Sequence, residues 1–218
     1  MHFETARNNH GMRHNPLKAL VAPRPIGWIS TIDDSGICNL APYSFFNLVS
    51  DRPPMVMFSS GGFKDSPRIA GSCGEFVCSL ATWDLREKMN ITSAEVASDV
   101  DEFKLAGLTP APSVLVAPPR VKESPAALEC RHYKTVELPP DPSDGKVHYL
   151  VIGHVVGIYI DDAVIRDGMI DTGQLRPVAR LGYREYGVII PETVFTMSNR
   201  PAANAAGELV FGAGARDR

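Results

Sequence analysis

The segment of residues 64–68 combines a lysine, a serine suited to helix capping and a proline suited to a first helical turn. The free amides of such a turn carry partial positive charge, and Lys64 adds a full charge beside them. We therefore expect Ser66 to be the N-cap of a helix that begins at Pro67, and an anion such as a phosphate to bind there. An ordinary capped surface helix is the alternative, since a Ser-Pro pair is typical of many helix starts.

Two segments upstream, residues 23–31 and 39–47, bring serine, threonine and asparagine side chains close in sequence to this anion site. The three segments read PRPIGWIST, NLAPYSFFN and KDSPR, and the motifs DEF, EC and RLG follow at positions 101, 129 and 180. This series resembles the flavin reductase-like family, which includes flavoredoxins and the reductase components of two-component monooxygenases. The resemblance covers residues 14–190 and implies an FMN-binding split β-barrel.

The resemblance implies that two groups of polar side chains hold FMN. The flavin accepts hydride at N5 and gathers negative charge near N1 and C2=O, so the protein must seat the phosphate and offer hydrogen bonds to the ring. The expected ligands of the phosphate and ribityl chain are Arg24, Ser30, Thr31, Ser59, Ser60, Lys64 and Ser66, with Asp65 orienting the loop. The expected ligands of the pyrimidine edge are Ser44 and Asn47.

Structural roles stay open for several of these positions. Arg24 stands between two prolines, which form a stiff turn whatever the function of the arginine. Ser30 and Thr31 are equally typical of a strand that approaches a turn. The neighbouring Phe45 and Phe46 are expected in the core rather than stacked on a cofactor, and the role of Tyr43 is left open.

His148 is the candidate neighbour of a nicotinamide. Residues 148–155 are similar to the family pattern Asp-His-x-Leu-x-x-Gly-x-Val, in which the histidine and the glycine match. Val147 replaces the aspartate, so a surface strand histidine is the alternative. The resemblance implies NADH or NADPH as the transient hydride donor.

The RLG motif resembles one found near the end of the family's domain, in which a second glycine commonly follows the first. In this chain Tyr183 stands at that position. We expect Arg180 and Tyr186 to border either the flavin or a dimer interface. Members of this family commonly build each FMN site from two subunits, so the resemblance implies a homodimer.

Composition predicts one globular domain and excludes several functions. The 218 residues are 44% hydrophobic and 22% charged, and a net charge of −3 gives little electrostatic support for a nucleic-acid partner. No apolar stretch reaches the roughly 20 residues of a membrane span, and the first residues lack the apolar core of a signal peptide. We therefore expect a cytoplasmic protein that binds neither nucleic acid nor membrane. The cysteine and histidine spacings predict no metal site.

The apolar pattern predicts a mainly antiparallel β (α+β) fold, as in a split β-barrel with short decorating helices. Strands are expected over residues 26–32, 37–41, 55–60, 75–81, 128–138 and 147–160, with a hairpin turn at 33–36. Helices are expected after Ser66, from Thr82 to about residue 96, and over 101–106. A β-sandwich is equally compatible with the composition. A flexible arm (1–13) and a flexible tail (199–218) are expected to flank one domain (14–198).

Three functions are compatible with these patterns. The first is an NAD(P)H-dependent flavin reductase that delivers reduced FMN to a partner monooxygenase, and the second is a flavoredoxin-like carrier that keeps its FMN. The third is a non-catalytic β-barrel interaction module. The chain contains neither a GxGxxG nor a GxxxxGK[ST] motif, so a nicotinamide donor would have to bind without them.

Overall fold

The computed structural model describes residues 1–5, 7, 9–197, 202–203, 206 and 209–210. In chain order the strands are β1 (Arg24–Pro25), β2 (Gly27–Ile32), β3 (Cys38–Tyr43), β4 (Phe46–Asp51), β5 (Pro54–Gly61), β6 (Glu75–Leu80), β7 (Pro110–Ala111), β8 (Arg120–Val121), β9 (Ala126–Glu137), β10 (His148–Ile160), β11 (Ile165–Arg166), β12 (Met169–Ile170), β13 (Val178–Arg180), β14 (Tyr186–Val188), β15 (Ala202–Ala203) and β16 (Leu209–Val210). The helices are α1 (Leu17–Leu20), α2 (Asp65–Cys73), α3 (Arg86–Ile91), α4 (Glu102–Leu105) and α5 (Thr172–Leu175). Short 3-10 turns lie at Trp83–Leu85, Asp162–Val164 and Pro191–Thr193.

An antiparallel sheet of seven strands, in the order β3-β2-β6-β9-β10-β5-β4, forms the body of the molecule. The sheet curls until Phe46 of β4 packs on Gly27 of β2, where an added Cβ would lie 2.4 Å from the Phe46 ring. Glycine at this position therefore permits the two halves of the sheet to close against each other. A smaller sheet, β1-β13-β14, contacts β4 through β1.

Two hydrophobic cores lie on opposite faces of β2. The consecutive residues Trp28 and Ile29 are both fully buried, and consecutive strand residues point to opposite faces. Trp28 packs in a cluster with Met89 and Phe103 from the helices, whereas Ile29 packs with Phe58 inside the barrel. Helices α3 and α4 therefore cover one face of β2, whereas Ala70 of α2 packs with the barrel interior on the other face.

The mainly β fold class predicted from the sequence is confirmed. Each of the six predicted strands is present, and its observed bounds differ from the prediction by at most two residues. The predicted hairpin turn joins β2 to β3, and the Gly36 amide donates to the Asp33 carbonyl there. Strand β4 and the β1-β13-β14 sheet were not predicted.

The expectation that Ser66 caps a helix is wrong. Lys64 is the N-cap of α2, with φ −75° and ψ −179°, and Pro67 is therefore the third helical residue. Ser66 is only 1% exposed, and its Oγ accepts a hydrogen bond of 2.8 Å from Asn39 Nδ2. The buried amide of Asn39 provides Ser66 with a partner inside the protein, so the serine hydroxyl is turned away from the helix end.

The helix predicted from Thr82 to about residue 96 is shorter than expected. Thr82 precedes the 3-10 turn at Trp83–Leu85, and α3 then ends at Ile91. The next residue, Thr92, is held by the Trp28 indole, which donates to its Oγ1 at 2.9 Å. This buried contact fixes the chain at the point where the helix stops.

The flexible arm and tail remain predictions. Within the arm, His10 is buried and its ring lies 4.9 Å from the Phe3 ring in an edge-on arrangement. Of the predicted tail (199–218), the structure describes residues 202–203, 206 and 209–210, so most of that prediction lies outside the described residues. No helix in the described ranges is long and apolar enough to cross a membrane.

Candidate functional site

Two cavities of about 420 Å³ each adjoin on one side of the barrel. The first, here the Lys64 cavity, is lined by Asn39, Ala41, Pro42, Tyr43, Phe63, Lys64, Asp65, Ser66, Arg68, Thr92, Ser93, Ala94, Glu95, Val96, Ser98 and Glu102. The second, here the His148 cavity, is lined by Lys18, Arg24, Ile26, Pro42, Tyr43, Ser44, Phe45, Ser59, Gly61, Met89, Asn90, Ser93, His148, Arg180, Tyr183 and Tyr186. Pro42, Tyr43 and Ser93 line both cavities, so the two lie side by side, and we refer to the pair as the groove.

The first turn of α2 forms part of the wall of the Lys64 cavity. The amides of the first helical residues have no acceptor within a helix, and Pro67 carries no N–H. The Arg68 amide already donates to the Lys64 carbonyl, and no side chain of the described residues caps the helix start. The amides of Asp65 and Ser66 are therefore the donors that this turn can offer to an anion.

The cations of the Lys64 cavity are paired with acids on its own wall. Lys64 Nζ lies 2.7 Å from Glu95 Oε1, and Arg68 Nη2 lies 2.5 Å from Asp65 Oδ1. The Lys64 ammonium lowers the pKa of Glu95 by its hydrogen bond and its charge. The Glu95 side chain is 86% exposed, so it can turn into solvent when another anion approaches Lys64.

Tyr43 lies where the two cavities meet, and hydrogen bonds fix it there. Its hydroxyl is hydrogen-bonded to the hydroxyls of Ser66 and Ser60, and burial raises the pKa of Tyr43. Asn39 Nδ2 donates to Ser66 Oγ and to Thr31 Oγ1, which extends the network into the barrel wall. Sequence reasoning left Tyr43 open and assigned no role to Asn39, because the network joins four separate strands and helices.

Seven of the predicted site residues line the groove. Lys64, Asp65 and Ser66 line the Lys64 cavity, as expected for the predicted phosphate end. The four that line the His148 cavity are Arg24, Ser44, Ser59 and His148. The predicted phosphate and ribityl group is therefore divided between the cavities, because Arg24 and Ser59 lie in the same cavity as Ser44 of the predicted pyrimidine-edge group.

Four predicted site residues are not among those that line the groove. Ser30 is fully buried and its Oγ donates to the Pro119 carbonyl. Thr31 and Ser60 are also buried, and they contribute to the wall through Asn39 and Tyr43. Asn47 is exposed on β4, and its Oδ1 accepts from the Leu48 amide at 2.9 Å.

Arg24 lines the His148 cavity and supports its wall through hydrogen bonds to the backbone. Its guanidinium is buried and donates to the carbonyls of Lys18, Val21 and Leu181, the last at 2.8 Å. These bonds join α1 to the chain after β13. The three backbone carbonyls therefore compete with the predicted contact of Arg24 with the phosphate region, because they already accept most of the hydrogen bonds that the guanidinium can donate.

His148 lies in an open part of the second cavity. It pairs with Gly61 across β10 and β5, and an added Cβ at Gly61 would lie 3.3 Å from His148 Cε1. The absence of a side chain at Gly61 leaves room beside the imidazole. The His148 ring centroid lies 6.0 Å from that of Phe45, and the two rings are tilted by 32°.

The hairpin between β13 and β14 closes the far side of the His148 cavity. Arg180 Cζ lies 4.5 Å from the centre of the Tyr186 ring, and Arg180 Nη2 donates to the Tyr183 carbonyl at 2.6 Å. Tyr183 has φ 52°, a left-handed conformation that favours glycine. The close backbone approach is at Gly182, where an added Cβ would lie 2.6 Å from Ala19 Cβ.

Residues 20–179 match the family model described as flavin reductase like domain. The chain belongs to this flavin reductase-like family. An uncharacterized protein of Aquifex aeolicus is 35% identical over 192 residues, which cover 85% of this chain and 94% of that protein. Within the described part of the chain, no three His, Cys, Asp or Glu residues are grouped to hold a metal ion.

Two solved structures show the same fold as this flavin reductase-like chain. Nitrilotriacetate monooxygenase component B from Bacillus cereus superposes with a TM-score of 0.78 at 29% identity, covering 86% of this chain and 95% of that chain. A structure with a split barrel domain from Shewanella frigidimarina NCIMB 400 gives 0.76 at 25% identity, covering 93% and 100%. The fold is therefore a mainly β split barrel with short helices.

Proposed function

We propose that this chain is an FMN-binding oxidoreductase that takes hydride from NADH or NADPH and delivers reduced flavin to a partner monooxygenase. The observation that carries the proposal is the pair of adjoining cavities that form the groove, with Lys64 and the start of α2 in one and His148 in the other. The groups of a flavin nucleotide follow a matching order, because a flexible polar chain joins its phosphate at one end to a flat aromatic ring at the other.

The Lys64 end suits a phosphate. The amides of Asp65 and Ser66 and the ammonium of Lys64 would hold it, and Glu95 would move into solvent as the phosphate replaces it beside Lys64. The Tyr43 hydroxyl, fixed by Ser60 and Ser66, would then adjoin the ribityl chain at the junction of the cavities.

The His148 end suits a ring that gains negative charge. Lys18, Arg24 and Arg180 line this cavity, and no carboxylate is among its described lining residues. Bound FMN would supply the atom that accepts hydride, while the surrounding cations favour the added charge. Ser44 and Ser59 would orient the ring, and His148 would contact the nicotinamide.

The partners belong to the same proposal. The fold neighbour from Bacillus cereus is a monooxygenase component, which supports delivery of reduced flavin to an oxygenase. A homodimer, in which each subunit completes the FMN site of the other, is proposed from the family resemblance. Sedimentation of the FMN-loaded protein as a monomer would exclude the shared site.

The test is to purify the protein, titrate it with FMN and follow the visible spectrum, then add NADH or NADPH anaerobically with and without free FMN. A reductase should bind FMN, bleach on addition of the donor and reduce added FMN over many turnovers. A protein that keeps one tightly bound FMN and does not reduce free FMN would instead be a flavoredoxin-like carrier. A protein that does not bind FMN would overturn the proposal.

A further inference from the structure

A third cavity, of about 570 Å³, adjoins the His148 cavity. Its walls are the 3-10 turn that contains Trp83, helix α3 and the β13–β14 hairpin, and we call it the Trp83 cavity. Met89, Asn90, Arg180 and Tyr186 line both this cavity and the His148 cavity. The two cavities therefore lie next to each other, on either side of the Arg180 and Tyr186 side chains.

The Trp83 cavity carries an excess of positive charge. Arg86, Arg180 and Arg184 line it, and Glu87 is the single carboxylate among its described lining residues. Glu87 lies 3.5 Å from Arg86 Nε, so it offsets one of the three guanidinium groups. Arg184 is exposed and forms no ion pair with another described residue. The cavity thus has guanidinium groups available for an anion.

An aromatic surface accompanies these charges. The Trp83 ring is 37% exposed, and the Arg86 guanidinium lies over it with Cζ 3.9 Å from the ring centre. Tyr186 is 44% exposed and has Arg180 at 4.5 Å. A flat aromatic ring beside guanidinium groups provides both stacking and bidentate hydrogen bonds, the two interactions that recognise a phosphorylated nucleoside.

We infer that the Trp83 cavity binds the adenosine 2′-phosphate half of NADPH and makes this protein prefer NADPH to NADH. The inference rests on the proposed function, because it places the nicotinamide half beside His148. A phosphate monoester carries a charge of about −1.5 to −2 at neutral pH, and this group is what NADPH has and NADH lacks. The cavity also answers how the donor binds in a chain without a Rossmann motif.

The direct test is calorimetric titration of the FMN-loaded protein with 2′,5′-ADP and, separately, with 5′-ADP. The expected result is tighter binding of 2′,5′-ADP, with an affinity that falls as salt is raised. Arg184→Gln and Arg86→Gln should each weaken 2′,5′-ADP by about five- to tenfold, the range for a partly exposed charged hydrogen bond. Arg166→Gln is the matched control, because Arg166 is an exposed arginine that pairs with Asp171 and lines none of the three cavities.

Kinetics provide a second measurement. Arg184→Gln should raise the KM for NADPH and leave both the KM for NADH and the affinity for FMN unchanged. Equal affinities for 2′,5′-ADP and 5′-ADP would overturn the inference. Equal kcat/KM for NADPH and NADH would overturn it while the proposed reductase function stands. Charge-dependent binding of 2′,5′-ADP by a protein that fails to bind FMN would support the cavity and overturn the reductase function.

Discussion

Lys64 Nζ and Glu95 Oε1 lie 2.7 Å apart on the wall of the Lys64 cavity. The Lys64 side chain is 51% exposed, so this pair is held in partial contact with water. Surface ion pairs of this kind stabilise a fold little, which makes Lys64 available to a phosphate of higher charge. In the proposed complex, Glu95 and the phosphate of FMN would therefore compete for one ammonium group.

Lys64→Ala should weaken FMN binding by about 1.5 kcal/mol, roughly tenfold, because a charge-assisted hydrogen bond to the phosphate is lost and the group is half exposed. Riboflavin, which has no phosphate, should bind the variant as well as it binds the wild type. Fluorescence titration with both flavins checks this, and Lys104→Ala is the matched control because Lys104 lies outside both cavities. Equal losses for FMN and riboflavin would remove Lys64 from the phosphate site.

Glu95→Gln should tighten FMN binding, by roughly two- to fivefold at low salt, because the competing carboxylate is removed while the side-chain size is kept. The gain should shrink as ionic strength rises, since Glu95 is exposed and its charge is screened. Titrations at low and high salt measure both effects. An unchanged FMN affinity at low salt would mean that the phosphate does not displace Glu95.

His148→Ala should lower kcat/KM for the nicotinamide donor by about tenfold or more, since the imidazole is proposed to position the ring for hydride transfer. FMN affinity should stay within about twofold. His154→Ala is the matched control, because His154 is an exposed histidine on the same strand that lines neither cavity. Stopped-flow reduction of bound FMN separates the two effects, and wild-type rates for His148→Ala would exclude the residue from the donor site.

The sequence predicts the long buried strands of this fold better than it predicts strand β4 at the edge of the sheet. The long strands were predictable because their apolar runs are buried, as at Val56, Phe58 and Val151. Strand β4 was missed because Leu48 and Val49 are 57% and 53% exposed, so its pattern lacks a buried face. Its place as a strand depends on pairing with β5, which local sequence does not encode.

The sequence predicts a site residue where the role of its side chain needs no distant partner. It fails where the hydrogen-bond partner lies far away in the chain. Lys64 and His148 both line the groove, and each lies near the end of a strand that the sequence predicts. Ser30 and Ser59 look equivalent in sequence, yet Ser30 bonds to the Pro119 carbonyl, 89 residues away. Only the folded chain reveals that this hydroxyl is already used.

Glu102→Gln should change how stability depends on pH. Burial raises the pKa of Glu102 above the ordinary value of 4.5, even though its Oε2 accepts a bond of 3.0 Å from the Leu40 amide. The folded state therefore holds this proton more tightly than the unfolded state, and that contribution to stability is lost as pH rises through the raised pKa. The amide oxygen of glutamine can keep the bond to Leu40 without a charge.

The measurable quantity is the free energy of unfolding of Glu102→Gln minus that of the wild type. This difference should grow as pH rises from about 4.5 and become constant above the raised pKa of Glu102. Urea unfolding at a series of pH values gives it directly, and other titrating groups cancel in the subtraction. A difference that is flat across this range, or that falls with pH, would contradict the burial of a proton-binding carboxyl group.

Thr92→Val should destabilise the protein by about 1–3 kcal/mol, because it leaves a buried donor unpaired. Trp28 is fully buried, and its indole N–H donates to Thr92 Oγ1 at 2.9 Å, while that hydroxyl donates to the Met89 carbonyl at 2.8 Å. Valine has nearly the shape of threonine, so the change removes the hydrogen bonds and leaves the packing intact. Thr92→Ser is the matched control, since it keeps the hydroxyl and loses one methyl group, at a cost of about 1 kcal/mol. In urea unfolding at neutral pH the valine variant should be less stable than the serine variant, and the reverse order would mean that packing rather than the indole hydrogen bond holds the end of α3.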